Sequence, residues 1–499
     1  MKNSKVTLKD QSLLVQKCFI GGKWVDATSK KAFEVHDPAT GELIGNCPET
    51  AAEDAQHAIQ AASDTFNEWR SKSGRERSRI LRRWYELVME NKDDLATIIT
   101  WENGKAKPDA AGEVVFSASF IEWFAEEAAR IYGEVVPHST SGSRVHVTKE
   151  PVGVCGLITP WNFPIGMLAR KAAAALAAGC TCIIKTAGET PFSANALVLL
   201  ASRAGLSPGA LNVVTALENT PEIGSTLCES PIVRKVSFTG SVRVGRLLMK
   251  RSSQTLKKLS LELGGNAPFI VLDDADLDWA VTGLIASKFK CSGQTCVCTN
   301  RIFVQSGIYD SFVAKAVEAI KQLRVGSGFE DGVTQGPLVH SRAVSNMTNL
   351  VEDAISKGAK VVLGGKPMSE LGTNFFEPTV ITGMTSDMKM AQEEIFGPIA
   401  AISRFDTEEE VIALSNDSEV GLAAYVFTEN LRRSQYMIES LHVGMVGLNT
   451  GVISDASSPF GGVKLSGLGR EGSKHGIDEY LDMKTVVTGR AASVFRSSL

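Results

Sequence analysis

The chain has 499 residues, 43% apolar, 22% charged and 7% aromatic. That is enough for two or three hydrophobic cores and is unlike a disordered or fibrous composition. Lys and Arg number 52 against 56 Asp and Glu, a formal charge of −4, so neither a nucleic acid nor a membrane is an expected partner and small molecules are.

The first ten residues contain no apolar run of signal-peptide length and already include Asp10, which places the chain in the cytoplasm, with the mitochondrion as the alternative. Phe19-Ile-Gly-Gly-Lys-Trp24 reads as the start of a hairpin, and Ala51 to Glu68 and Arg75 to Leu95 read as long helices wrapping a sheet. From Val152 the pattern alternates. Strands are predicted at Val152 to Ile158, Cys182 to Ile184, Leu211 to Val214 and Val233 to Phe238, with helices at Ile165 to Ala178, Ser193 to Ala204, Glu222 to Cys228 and from about Ser241. Four such alternations predict an open, mostly parallel α/β sheet with helices on both faces, its ligands beyond the carboxyl ends of the strands.

Those ends carry the polar residues. The first strand runs into Pro160, Trp161, Asn162, Phe163 and Pro164, the second stops at Lys185, and the fourth stops at Thr239, Gly240 and Ser241. Gly240 to Gly245 sets a glycine turn at a helix N-terminus, where free N–H groups and the helix dipole suit a phosphate, and Lys185 adds a cation nearby; a dinucleotide fits this arrangement. A literal Gly-x-Gly-x-x-Gly at Gly467, Gly469 and Gly472 lacks a preceding strand and a following acidic residue at the expected spacing, so it reads instead as a sharp loop near a site entrance or interface.

A second core begins near Gly264, with strands at Phe269 to Leu272, Arg301 to Gln305, Val361 to Leu363, Ala423 to Phe427 and Val446 to Leu448. Helices are predicted at Leu277 to Lys290, Phe312 to Leu323 and Glu408 to Leu414. It is a second α/β domain, and it carries Cys296 just after Gly293 and Gln294, a turn that can present a thiol, while Glu262 upstream can activate water. The nine cysteines show no paired framework and no Cys-x-x-Cys spacing, so they read as reduced thiols, with no structural metal expected. A cysteine hydrolase is the alternative from another class, but none of the seven histidines has the context of a partner base.

From about Phe19 to about Thr488 the chain resembles the aldehyde dehydrogenase superfamily. The resemblance rests on Pro160-Trp-Asn-Phe-Pro164, Phe238-Thr-Gly-Ser241, Leu261-Glu-Leu-Gly-Gly265, Gly293-Gln-Thr-Cys296, Glu394-Ile-Phe-Gly-Pro398 and Pro459-Phe-Gly-Gly462. Gly293-Gln-Thr-Cys-Val-Cys298, Gly264-Gly-Asn-Ala-Pro268 and Gly469-Arg-Glu-Gly-Ser473 are similar to the succinate-semialdehyde dehydrogenases within it. The resemblance implies a Rossmann-type cofactor domain (1–130 and 152–262), an α/β catalytic domain (263–482), a small β oligomerisation element (131–151 and 483–499), and a homo-oligomer, dimer or tetramer.

It also implies roles. Cys296 is the nucleophile, Asn162 and the Cys296 N–H are oxyanion donors, and Glu262 is the base for thioester hydrolysis. NADP or NAD would lie against Thr159, Pro160, Trp161, Lys185, Gly188, Glu189, Gly240, Ser241, Gly245, Leu263, Glu394 and Phe396. Lys185 takes the ribose, Ser241 the pyrophosphate, and Glu394 with Phe396 the nicotinamide end. Arg170, Lys290 and Ser454 would receive the distal carboxylate of a small aldehyde, succinate semialdehyde first and glutarate semialdehyde or another small aldehyde as the alternative. Cys298 would be a redox partner of Cys296, with Cys291 its competitor. The chain departs from the family pattern in three places: Lys185-Thr-Ala-Gly-Glu-Thr-Pro191 replaces the common Lys-Pro-Ala-x-x-Thr-Pro, Cys291 stands where asparagine is frequent, and Arg243 enters a helix first turn. Gly188, where NAD-preferring relatives often carry glutamate, removes a carboxylate that would repel a 2′-phosphate and favours NADP.

Overall fold

The computed structural model describes residues 6–489. The chain begins with two hairpins, β1 (Cys18–Ile20) with β2 (Lys23–Val25) and β3 (Ala32–His36) with β4 (Leu43–Pro48). Four helices follow: α1 (Ala52–Ser71), α2 (Gly74–Glu90), α3 (Lys92–Asn103) and α4 (Lys107–Glu127). The single helix expected over Arg75 to Leu95 is in fact two. Asn91 turns out of helical geometry (φ −103°, ψ 19°), and its side chain caps the Leu87 carbonyl at 2.8 Å, closing α2 before α3 starts. At its other end α2 is fixed by a reciprocal cap between Ser73 and Glu76.

After β5 (Glu134–Pro137) and β6 (Arg144–Pro151), the chain enters the alternating region. Its elements are β7 (Val154–Ile158), α5 (Pro164–Ala178), β8 (Thr181–Lys185), α6 (Pro191–Arg203), β9 (Leu211–Val214), α7 (Thr220–Glu229), β10 (Val233–Thr239), α8 (Val242–Ser252) and β11 (Lys258–Glu262). The parallel strands lie in the order β9-β8-β7-β10-β11, with β1 added antiparallel beside β9. Chain order reverses between β7 and β10, so the carboxyl ends of these two strands open a crevice at the switch point. Successive residues feed opposite cores: Cys155, Leu157, Cys182 and Ile184 pack under α2 to α6, whereas Val154, Ile183, Val236 and Phe238 pack with α1, α7 and α8. Burial on both faces is why these strands are short continuous apolar runs.

The second sheet is built from β12 (Ala267–Val271), α9 (Leu277–Lys288), β13 (Thr299–Gln305), α10 (Tyr309–Lys321), α11 (Ser341–Ser356), β14 (Lys360–Leu363), β15 (Thr379–Thr382), α12 (Lys389–Gln392), β16 (Ile399–Phe405) and α13 (Glu408–Asn416). It continues through β17 (Val420–Gly421), β18 (Ala423–Phe427), α14 (Leu431–Ser440) and β19 (Met445–Leu448). The order is β14-β15-β16-β13-β12-β18-β19, parallel except for β14. The chain then forms β20 (Val463–Lys464), β21 (Gly467–Leu468), α15 (Ser473–Asp478) and β22 (Leu481–Thr488).

The Gly467 to Gly472 stretch is a loop with a strand of two residues. That strand pairs antiparallel with β11 and carries the second region of the chain onto the edge of the first sheet. β22 pairs along its whole length with β6, and β5 completes a separate three-stranded sheet. Residues 490–499, which the sequence reading assigned to this element, lie outside the described residues.

Candidate active site

α9 ends at Lys288, and the chain reverses over Cys291, Ser292 and Gly293, all left-handed (φ 51°, 54° and 76°). Only glycine fits at 293, because a Cβ there would stand 2.2 Å from the Gly397 carbonyl oxygen. The turn therefore packs directly on the Glu394 to Pro398 loop and presents Cys296, half-buried, to a cavity of about 370 Å³ at the switch point.

The loop after β7 meets the thiol loop through Asn162, whose Nδ2 donates to the Gln294 carbonyl at 2.9 Å. One amide hydrogen of Asn162 is left over, and the Cys296 N–H has no acceptor among the described residues. Two donors without acceptors thus border the cavity that Cys296 lines, as stabilisation of an oxyanion requires.

Glu262, the last residue of β11, accepts from Thr239 Oγ1 at 2.9 Å and from Arg170 Nη2. Arg170 Nε also lies 2.7 Å from Glu471 Oε2, and Glu471 is paired with Lys171 as well. Two cations and two carboxylates therefore form a closed buried cluster. Burial pushes the Glu262 carboxyl up; Arg170 pulls it down and Glu471 pushes it further up. Burial also works to raise Glu471, but the Lys171 and Arg170 charges outweigh it and hold that group well below the usual carboxylate range. Glu262 Oε1 has no hydrogen-bond partner among the described residues, which leaves one carboxylate oxygen to take a proton. Burial, and then the Glu262 charge, raise the Cys296 thiol well above its ordinary value.

At the other end of the cavity Phe396, left-handed at φ 54°, packs edge-on against Trp161 with ring centres 5.6 Å apart. Burial pushes Glu394 up to about 7 against the opposing Gly265 N–H and the Lys288 charge. Beside it α8 begins. Ser241 Oγ accepts from Val244 at 3.4 Å, and the Val242 and Arg243 N–H groups have no acceptor among the described residues, which makes this helix start fit for a phosphate. At the end of β8, Lys185 is buried and lowered to about 8 by desolvation, opposed by Glu189 and Glu49. A side chain at Gly188 would place Cβ 2.8 Å from Leu217 Cδ1 and 3.0 Å from the Ala216 carbonyl. The donor set fits a dinucleotide lying over the strand ends, whereas Gly188 is a glycine because the chain itself packs against it.

The Aldehyde dehydrogenase family model matches residues 24–486. The chain belongs to the aldehyde dehydrogenase family. It is 54% identical to "Succinate-semialdehyde dehydrogenase [NADP(+)] 1" of Schizosaccharomyces pombe, covering 96% of both chains. It is 51% identical to "Glutarate-semialdehyde dehydrogenase" of Pseudomonas aeruginosa, covering 97% of this chain and 99% of that one. The crystal structure of succinate-semialdehyde dehydrogenase from Burkholderia pseudomallei superposes with a TM-score of 0.96 at 52% identity, covering 97% of this chain and 100% of the other.

Of the residues that the family resemblance singled out, Cys296, Glu262, Asn162, Pro160, Trp161, Gly240, Ser241, Leu263, Glu394, Phe396, Arg170, Lys290 and Ser454 all line the one cavity. Thr159, Lys185, Gly188, Glu189 and Gly245 do not line it. Thr159 donates its N–H to the Lys185 carbonyl at 3.1 Å, and Gly245 packs on Leu263. Cys298 is buried outside the cavity wall, its thiol 3.3 Å from the Lys288 carbonyl. Sequence reading did not single out Lys171 and Glu471 as site residues. A lysine beside Arg170 in an otherwise apolar helix was the available signal for the first, whereas Glu471 sat inside the rejected glycine motif.

Proposed function

We propose that this chain oxidises a short aldehyde bearing a remote carboxylate, succinate semialdehyde first, to the corresponding acid with NADP or NAD. The observation that carries this reading is the cavity itself, where one thiol, two free oxyanion donors and a carboxylate meet Lys290, a lining cation with no ion-pair partner among the described residues. Arg170, the other lining cation, is already engaged by Glu262 and Glu471, so Lys290 carries most of the attraction for an incoming carboxylate and Ser454 adds a hydroxyl. An ammonium holds that group as a point charge without the planar fork of arginine.

In the reaction, Cys296 sulfur bonds to the aldehyde carbon as its proton leaves, with Glu262 the carboxylate at hand to accept it. The oxygen takes the negative charge and is held by the Cys296 N–H and the Asn162 amide. A bound nicotinamide dinucleotide supplies the hydride acceptor. The chain then holds a thioester on Cys296; Glu262, having passed the thiol proton on to solvent, removes a proton from water, the water oxygen adds to the acyl carbon, and sulfur leaves as the thiolate, which is reprotonated to close the cycle. The helix start at Ser241 would hold the pyrophosphate, Lys185 the adenosine ribose, and Glu394, Phe396 and Trp161 the nicotinamide end. With no carboxylate at 188 and a cation at 185, NADP is preferred over NAD.

Among the described residues no histidine lines the cavity, which speaks against a cysteine hydrolase. The nine unpaired cysteines support a reducing compartment, cytoplasmic first, and no helix among the described residues is long and apolar enough to cross a membrane. The first sheet with its helices serves as the cofactor domain and the second as the catalytic domain. The third sheet, with Val135, Met483 and Val487 exposed, is the self-association surface of a dimer or tetramer. A Cys296–Cys298 disulfide would require the Cys298 thiol to leave the Lys288 carbonyl and turn toward the cavity.

Comparing kcat/KM for succinate and glutarate semialdehyde with each dinucleotide, in the parent chain and in Cys296→Ala, tests this. We expect the highest value for succinate semialdehyde with NADP, and no aldehyde-dependent reduction in the variant. Undiminished turnover by Cys296→Ala would sink the mechanism.

A further inference from the structure

A second pair of buried charges adjoins the oxyanion donors, with Glu113 itself bordering the cavity. Lys105, in the link between α3 and α4, and Glu113, on α4, form an ion pair at 2.6 Å with side chains 1% and 0% exposed. Every strong bond of the pair goes to the segment that holds Asn162. Lys105 Nζ donates to the Asn162 main-chain carbonyl at 2.6 Å and lies 4.2 Å from the centre of the Phe163 ring. Glu113 Oε1 accepts the N–H groups of Ile165 and Gly166 at 3.1 and 3.2 Å, two of the unsatisfied donors in the first turn of α5. The pair thus grips residue 162 and the start of α5 together, while Asn103 Nδ2 holds the preceding carbonyl, that of Trp161, at 2.9 Å.

Such a pair is a poor device for stability alone. The cost of removing both charges from water is commonly not recovered, and apolar or neutral replacements of similar volume often fold at least as well. What the pair does supply is direction. Its oxygens and nitrogen fix where the Asn162 main chain stands, and the Asn162 side chain, with Nδ2 on Gln294 and Oδ1 accepting from Phe163 N–H at 3.1 Å, follows from that anchor. An oxyanion donor works through pre-set geometry, so a displacement of about 1 Å is enough to cost about 100-fold.

We propose that Lys105 and Glu113 are positioning residues for the oxyanion-binding amide of Asn162, acting through its main-chain carbonyl and the first turn of α5. The inference rests on the reading of Asn162 as an oxyanion donor. Neither residue gives or takes a proton in the reaction, and no bond to substrate is assigned to either.

The decisive variant is the charge-neutral Lys105→Met/Glu113→Gln, which keeps volume and leaves an amide oxygen able to accept from Ile165 and Gly166. Lys105→Met alone leaves a buried carboxylate unpaired and serves as the comparison. In the double variant the thermal midpoint and the alkylation rate of Cys296 by iodoacetamide should stay close to the parent, while the single-turnover rate of NADPH formation falls about 10- to 100-fold with little change in KM. On an Asn162→Ala background the same double substitution should lower the rate by less than about threefold, because coupled residues are non-additive. An unchanged rate in the double variant, or an equal fold-loss with and without Asn162, overturns the proposal. If Asn162→Ala alone leaves the rate intact, the oxyanion reading itself fails, and the positioning role falls with it.

Discussion

Replacing Glu471 by glutamine is the sharpest probe of how Glu262, the carboxylate we propose as the base, is tuned. The parent cluster balances Arg170 and Lys171 against Glu262 and Glu471; removing one carboxylate charge leaves it at +1, with Glu262 the only anion facing two cations. Glu262 is raised by burial in the first place and by Glu471 in addition, with Arg170 opposing. A like charge about 4 Å away is worth ~4 kcal/mol at an effective dielectric of 20. That is a ceiling, because Arg170 and Lys171 can reorient once Glu471 is neutral.

The sign is fixed. Loss of a neighbouring carboxylate lowers the Glu262 pKa, so the base stays ionised to lower pH and the acid limb of the deacylation profile moves down. The plateau rate should fall as well, since a less basic carboxylate clamped by two cations removes a proton from water less readily. The assay is the pH dependence of acyl-enzyme hydrolysis, followed as steady-state turnover after a burst of NAD(P)H. Glu262→Gln serves as the control that should erase the limb. An acid limb that stays in place or moves to higher pH in Glu471→Gln would refute the cluster as the source of the tuning.

Lys290→Met should lower kcat/KM for succinate semialdehyde by about 10- to 100-fold, the worth of a charged hydrogen bond, and leave an uncharged aldehyde of similar length unaffected; equal losses on both substrates would move the carboxylate contact elsewhere. Trp84 is 1% exposed, and its Nε1 donates to the Leu197 carbonyl at 3.0 Å. Trp84→Ala should therefore destabilise the folded state by ~3–5 kcal/mol, visible as a large drop in the denaturation midpoint, whereas a change within error would mean that this core collapses around the vacancy.

Most strands of the two sheets could be read from the sequence, because a parallel strand buried on two faces must be a short apolar run bounded by polar turns, but β11, β15 and β16 were not among those predicted. Val154–Ile158 and Ala423–Phe427 have no other use for their composition. The break at Asn91 carries no Gly or Pro; its signal is the local one of an asparagine followed by Asp93 and Asp94 in a new first turn, and its side chain caps the Leu87 carbonyl one turn back. Helix α4 escaped notice. Its buried residues, from Ala110 and Val114 through Phe120, Ile121 and Phe124 to Glu127, leave little of the polar stripe that marks a surface helix, and its buried charge at Glu113 makes sense only against Lys105 and α5.

The same logic separates the parts of the site. Cys296, Asn162 and Glu262 stand in local motifs whose chemistry is compact in sequence. The electrostatic setting of Glu262 comes from burial and from Arg170 and Glu471, the latter paired with Lys171 300 residues away along the chain, and no local window holds them all. The glycines around Glu471 give the reason for that motif. They let the chain turn sharply at the edge of the first sheet, where β21 pairs with β11 at Leu261 and Glu262, and the loop that matched a phosphate-cradle pattern brings the Glu471 carboxylate into one buried cluster with Arg170 and Glu262.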